Sequence, residues 1–206
     1  MEALNLVVTR FRERGKTQFR RPLFVVLLAI ASFFSATSHL SAQPQLIRPT
    51  EAQVKAAYLF NFGKFVRWPS LPHQHNDSLA ICVLGKNPFG SVLDATVEGE
   101  TIDGKSVVAR NIPTLQEAAG CQILFVSASE EGRLAAVLAG ARQLRALTVS
   151  DIPRFAERGG MIELVTQGER IRFVANVGPM AEQGITVSSE LLKVAVKVIG
   201  KSAGEN

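Results

Sequence analysis

Three clusters in this chain hold residue types that could do chemistry, and their spacing decides which chemistry. Gly99 to Ser106 reads GETIDGKS and satisfies the phosphate-loop pattern G-x-x-x-x-G-K-[ST]. That pattern works where a strand precedes it and a helix follows, because the first amides of the helix hold the phosphates. Here the run Val107 to Ile112 continues as a strand, and Glu100 and Asp103 put carboxylates where phosphate would lie. The stretch is read as a turn before a strand, with no nucleotide cofactor. His73, His75 and Asp77 offer two imidazoles and a carboxylate, but they fall in a polar stretch without a fourth anchored ligand. They are read as a solvated loop, and no metal is expected. No Ser/His/Asp set and no G-x-S-x-G elbow can be recognised. Glu98, Glu100 and Asp103 are read as carboxylates on a solvated loop. No catalytic residue is assigned, and the chain is not expected to be an enzyme.

The third cluster is a cysteine pair, Cys82 and Cys121. Each lies at or near the start of a strand-like run, LAICVLG and CQILFV, so adjacent parallel strands can bring them together. In an oxidising compartment such a pair is expected to form a disulfide; the alternative is two small buried hydrophobes. No C-x-x-C spacing points to redox catalysis. The N-terminus favours the oxidising compartment. Residues 1–21 carry six basic side chains against Glu2 and Glu13 and run into the 14-residue apolar segment Leu23 to Ala36. A permanent bilayer span needs about 20 residues, and Ser41-Ala42 offers small residues for signal peptidase. Residues 1–42 are therefore expected to be a cleaved export signal that delivers the protein to the periplasm. An uncleaved inner-membrane signal anchor is the alternative. Without the signal the net charge falls from +5 to about +1. Nucleic-acid binding needs a clustered positive field, and none survives.

The elements that must position these residues alternate. The chain has 206 residues and mean hydropathy +0.16, enough for one domain with a core and too little for two comfortable ones. Thr50 and Gln53 form a capping box, and Val54, Tyr58, Phe62 and Phe65 recur at helical spacing until Trp68-Pro69. Phe60 lies off that stripe, so part of the aromatic run is left as a possible partner contact. Strands are expected at 79–84, 106–112, 123–127 and 146–150, with helices near 88–95, 114–119 and 130–142 between them. Near-continuous apolar strands separated by helices indicate an α/β fold, with a mostly parallel sheet covered on both faces. The rhythm then breaks. Residues 161–166 and 170–176 are separated only by Gln167-Gly168-Glu169, too short for a crossover, so they form an antiparallel hairpin. Gly159 and Gly160 turn the chain into it. Ile162, Leu164, Ile171 and Phe173 share one face, and Glu163 and Arg172 point the other way. Ser188 or Ser189 begins a final helix whose Leu191, Leu192, Ala195, Val198 and Ile199 pack inward.

The core does not require all of Glu163, Arg172, Ser188, Ser189 and Glu190, which nominates them as a partner-binding surface. The simpler alternative is that Glu163 and Arg172 pair across the hairpin.

Three blocks of this sequence resemble the YfiR family of small periplasmic regulators: VKAAYLFNFGKFVRWP (54–69), Phe155 with GGMI (159–162) and FVAN (173–176), and SSELL (188–192). The resemblance spans roughly Thr50 to Lys201. It implies a single Rossmann-like domain at 50–201, preceded by a short linker at 43–49 and followed by a disordered tail at 202–206. It further implies a homodimer that binds and inhibits the periplasmic sensor region of an inner-membrane diguanylate cyclase, lowering cyclic-di-GMP. An OmpA-like outer-membrane lipoprotein is a further partner that the resemblance implies. Some members carry a second cysteine pair near the turn, where Ala156 and Glu163 stand here. A sensory module for another membrane receptor, or a periplasmic small-ligand binder using the crevice at the carboxyl ends of the strands, is the alternative.

Overall fold

The computed structural model describes residues 48–69 and 78–200. The expected export signal, most of the linker, the tail at 202–206 and the loop with His73, His75 and Asp77 lie outside the described residues.

Helix α1 (Glu51–Phe65) starts at the expected capping box: the Thr50 hydroxyl accepts from the Gln53 N–H at 3.2 Å and Gln53 Oε1 accepts from the Thr50 N–H at 2.7 Å. The helix stops before Trp68-Pro69. At Val66 the chain becomes extended and forms β1 (Val66–Arg67), which pairs antiparallel with β9 (Thr186–Val187), a partner far along the chain. Ala56, Leu59, Phe60 and Phe62 are buried. Phe60 is buried although it is off the apolar stripe, because α1 packs against both the sheet and α2 (Val92–Val97). Phe65, on the expected stripe, is 39% exposed.

The main sheet has the order β10-β8-β7-β6-β5-β2-β4-β3. Strands β2 (Ser78–Leu84), β4 (Lys105–Ile112), β5 (Cys121–Val126), β6 (Leu147–Ser150) and β7 (Ile162–Gln167) run parallel. Strand β8 (Arg170–Asn176) returns antiparallel to β7, and β10 (Lys197–Ile199) runs parallel to β8. One face packs under α1, α2, α4 (Val177–Glu182) and α5 (Ser189–Val194). The other packs under α3 (Leu134–Ala141), which follows a 3-10 turn at Ala128–Arg133. This is the expected α/β sandwich. Tyr58, Phe62 and Phe173 form a ring cluster with centroids 5.4–5.9 Å apart, and the Tyr58 hydroxyl donates to Ile171 O at 3.0 Å. Those contacts dock α1 onto the hairpin.

One expectation changes and one holds. The final helix ends at Val194, and Lys197–Ile199 is strand, with Val198 44% exposed rather than packed inward. Val196 and Val198 alternate as suits a strand, and β8 supplies the partner. GETIDGKS is the expected turn before a strand: it folds as a hairpin between β3 (Thr101–Ile102) and β4, with Asp103 at φ 52° and Gly104 at φ 77°. Two left-handed central residues match the twist of a two-residue hairpin turn.

Cys82 and Cys121 form a disulfide between β2 and β5, with Cα atoms 5.9 Å apart. It depends on a register shift at Ala80/Ile81, where Ala80 pairs with Cys121 and Ile81 with Ile123. Gln122 is thus an extra residue, and its Oε1 accepts from the freed Ala80 N–H at 2.6 Å. The bulge puts Cys121 on the face of Cys82, Leu124 and Val126. Closing a loop with sequence separation 39 is worth about 4 kcal/mol in the chain-entropy model. Cys82→Ala/Cys121→Ala is expected to lower unfolding free energy by about 2–4 kcal/mol in urea titrations; an unchanged midpoint would refute this.

Candidate functional site

In an open α/β sheet, ligands sit at the carboxyl ends of strands whose following loops diverge. Here that place lies between β2 and β5, whose loops lead to opposite faces. The protein's own atoms occupy it. Ser127 Oγ donates to Lys86 O at 2.6 Å, and Ser129 Oγ accepts from the Lys86 N–H at 3.0 Å. Glu130 is buried beside them and pairs with Arg133 at 2.5 Å. A Cβ on Gly85, at φ +87°, would run into Ser129 Oγ and Glu130 Oε1. The crevice is a closed joint between loops.

At the end of β6, Lys55 Nζ lies 2.5 Å from both Asp151 and Glu51. Burial pushes the ammonium pKa down, but the bonds to Asp151 and Glu51 outweigh it and hold it above its usual 10.5. A raised folded-state pKa makes the stabilisation fully present below pH 10.5 and lost as pH rises through the folded value. The pair ties α1 to the sheet.

The residues of the turn and hairpin blocks meet in one place. Gly160 N–H donates to Phe155 O at 2.9 Å, and a Cβ on Gly160 would strike the Phe155 ring. Asn176 N–H donates to Met161 O at 2.7 Å, its side-chain amide donates to Ala156 O at 2.8 Å, and its Oδ1 caps α4 through Gly178 N–H at 3.2 Å. Glu163 belongs to the same cluster. Its carboxylate accepts from Arg154 N–H at 2.9 Å and from Ala156 N–H at 3.1 Å. Arg154 holds φ 60°, a costly conformation for a side chain with a Cβ. Glu163 therefore braces a strained turn.

The five candidate partner residues do not form one surface. Glu163 and Arg172 lie on the sheet face away from α1, where Glu163 pairs in register with Val174 and Arg172 with Val165. No Glu163 to Arg172 ion pair forms, because the Glu163 carboxylate is turned to the Arg154 amide. Arg172 is exposed. Ser188, Ser189 and Glu190 start α5 on the opposite face, where Leu191 enters the core with α1. Ser188 N–H donates to Phe65 O at 2.9 Å and its hydroxyl caps Leu191 N–H at 3.2 Å. The Glu190 carboxyl is held below its ordinary value by its own amide, then by the Ser188 and Ser189 hydroxyls. Ser188 and Glu190, together with Lys64, Phe65 and Arg67, border an open groove of about 420 Å³. Sequence reading missed Lys64, Phe65 and Arg67 as part of this rim, because the β1–β9 pairing that brings them there joins distant segments. Nearby, Val177, Met180, Ile185, Val187 and Leu192 line an apolar cavity of about 310 Å³.

Gly160→Ala is expected to destabilise the fold by about 1–3 kcal/mol through overpacking on Phe155, read as a lower melting temperature; an unchanged one would contradict the close contact. Lys55→Met is expected to flatten the loss of stability that wild type should show above pH 10.5, tested by urea melts at stepped alkaline pH. An identical alkaline profile in both proteins would rule the pair out as its source.

The fold has a solved counterpart. A conserved domain protein from Vibrio cholerae O1 biovar El Tor is similar over 70% of this chain at 13% identity and TM-score 0.50. An ABC domain from Streptococcus pneumonia, solved with L-Trp, matches 71% at 13% identity and TM-score 0.48. The chain covers 60% of the length of each. No curated protein matches it. The YfiR/HmsC-like family model matches residues 52–196, from the first turn of α1 to the edge of β10. This chain therefore belongs to the YfiR/HmsC-like family, whose members are regulatory rather than catalytic.

Proposed function

We propose that the protein is a periplasmic regulator that binds the periplasmic sensor region of an inner-membrane diguanylate cyclase and holds cyclic-di-GMP synthesis down. The observation that carries this reading is the family match over nearly the whole described domain. The geometry agrees with a binding role in two ways. The crevice where an α/β domain usually holds a ligand is filled by Ser127, Ser129 and Glu130. Exposed Arg172 on one face, and the Ser188 to Glu190 rim on the other, offer polar surface beyond what the core uses. In this reading the protein is exported by residues 1–42 and works as a homodimer. An OmpA-like outer-membrane lipoprotein acts on it as a sequestering partner.

The apolar cavity of about 310 Å³ favours a second reading, a small-ligand sensory module for another membrane receptor. Deleting the gene separates the two. Under the first reading, cellular cyclic-di-GMP rises on deletion and returns when the wild-type gene is supplied in trans. Unchanged cyclic-di-GMP across several growth conditions would reject the cyclase-repressor assignment and leave the sensory-module reading.

A further inference from the structure

The sheet is covered unequally on the face away from α1. Over β2 and β5 that face lies beneath α3 and Phe155. Over β7, β8 and β10 no helix covers it among the described residues. The strands present Val165, Val174 and Ile199 there, all half-buried and packed into neither core cluster. In register, Arg172 lies opposite Val165, and Val174 lies between Lys197 and Glu163, whose carboxylate is taken up by the Arg154 and Ala156 amides. Arg170 and Arg172 have no carboxylate partner among the described residues, whereas Arg154 and Lys197 share Glu157 at 3.0 and 3.5 Å.

An antiparallel pair commonly turns one polar face to water. Here the alternation supplies two valines and an isoleucine instead, edged by guanidinium groups that can grip carboxylates bidentately. A helix with an apolar stripe and acidic flanks is the complement of that pattern, and it would complete the layer that α3 begins. We propose that the outer face of β7, β8 and β10 docks an acidic amphipathic helix of the membrane receptor's periplasmic region. The helix's apolar stripe seats on Val165, Val174 and Ile199, and its carboxylates meet Arg170 and Arg172. This rests on the receptor-binding reading above and adds the face and the partner's chemistry.

The test uses the exported protein and the purified periplasmic region of the cyclase whose product rises on deletion. Arg170→Glu/Arg172→Glu is expected to weaken binding at least about 10-fold, with a shallower salt dependence than wild type. Arg170→Lys/Arg172→Lys is expected to stay within about 3-fold of wild type, and Val174→Asp to weaken binding as the charge reversal does. Both arginine side chains are exposed, so the reversal variant should keep its melting temperature even if Val174→Asp does not fold. Wild-type affinity in the charge-reversal variant would overturn the docking face while leaving the receptor reading intact. No change in cyclic-di-GMP on deletion would remove both. Two other results would also overturn the proposal. One is that the reversal abolishes self-association in sedimentation and leaves receptor binding unchanged, which would make the face a contact for a second copy. The other is that it abolishes only binding to phosphatidylglycerol vesicles.

Discussion

The side chain of Asn176 stands where four segments of the outer sheet meet, and much of the remaining geometry depends on it. It donates to Ala156 O in the turn before the hairpin and caps α4 through Gly178 N–H. Its Oδ1 also lies so close to Gly200, which follows β10 at φ +84°, that a Cβ there would come within 2.8 Å. One neutral amide therefore connects the Phe155 turn, the hairpin, α4 and the edge strand. Removing it would leave the Gly178 N–H without its acceptor and Ala156 O with only the Gly159 N–H at 3.3 Å, and an unmet donor costs more than the bond itself contributes. Gly160 is part of the same constraint, since the turn closes only if nothing but hydrogen faces the Phe155 ring.

This arrangement explains why the turn and hairpin residues that carry part of the family resemblance are not free to bind. Phe155, Gly160, Met161, Phe173 and Asn176 are fully engaged in the fold. Glu163, which looks like an outward hairpin carboxylate, is drawn into the same cluster to hold Arg154 in a left-handed conformation. The surfaces left for a partner are the neighbouring ones, which the cluster positions without using.

The closed joint at the β2 and β5 carboxyl ends bears on function as well. In a ligand-binding α/β domain the loops there diverge and leave room. Here they bond to each other through Ser127 and Ser129, and Glu130 is buried in place with Arg133 as its counter-ion. Below them, the disulfide links the same pair of strands, from Cys82 inside β2 to Cys121 at the amino end of β5. The two central strands are thus tied to each other by their loops and by the disulfide, and the apolar cavity and the groove beside Glu190 lie toward α1, α4 and α5.

The sequence by itself determined the elements that local patterns encode. The capping box at Thr50 and Gln53, the apolar runs of the parallel strands, and the hairpin with β8 at Arg170–Asn176 are where residue spacing places them. The pairing of Cys82 with Cys121 was legible from their strand positions, but the means was not. Strict alternation groups Cys121 with Ile123 and Phe125, and only the Gln122 bulge carries it to the face of Cys82. Tertiary structure alone decided that Val66–Arg67 and Lys197–Ile199 are strands, because their partners β9 and β8 lie far away or across a helix. It likewise decided that Phe60 is buried, that Glu163 is a brace, and that Arg172 and Ser188 face opposite sides. Periodicity reports which residues gain by leaving water. Strand neighbours, bulges and capping bonds are settled between segments distant in the chain, where no local spacing records the choice.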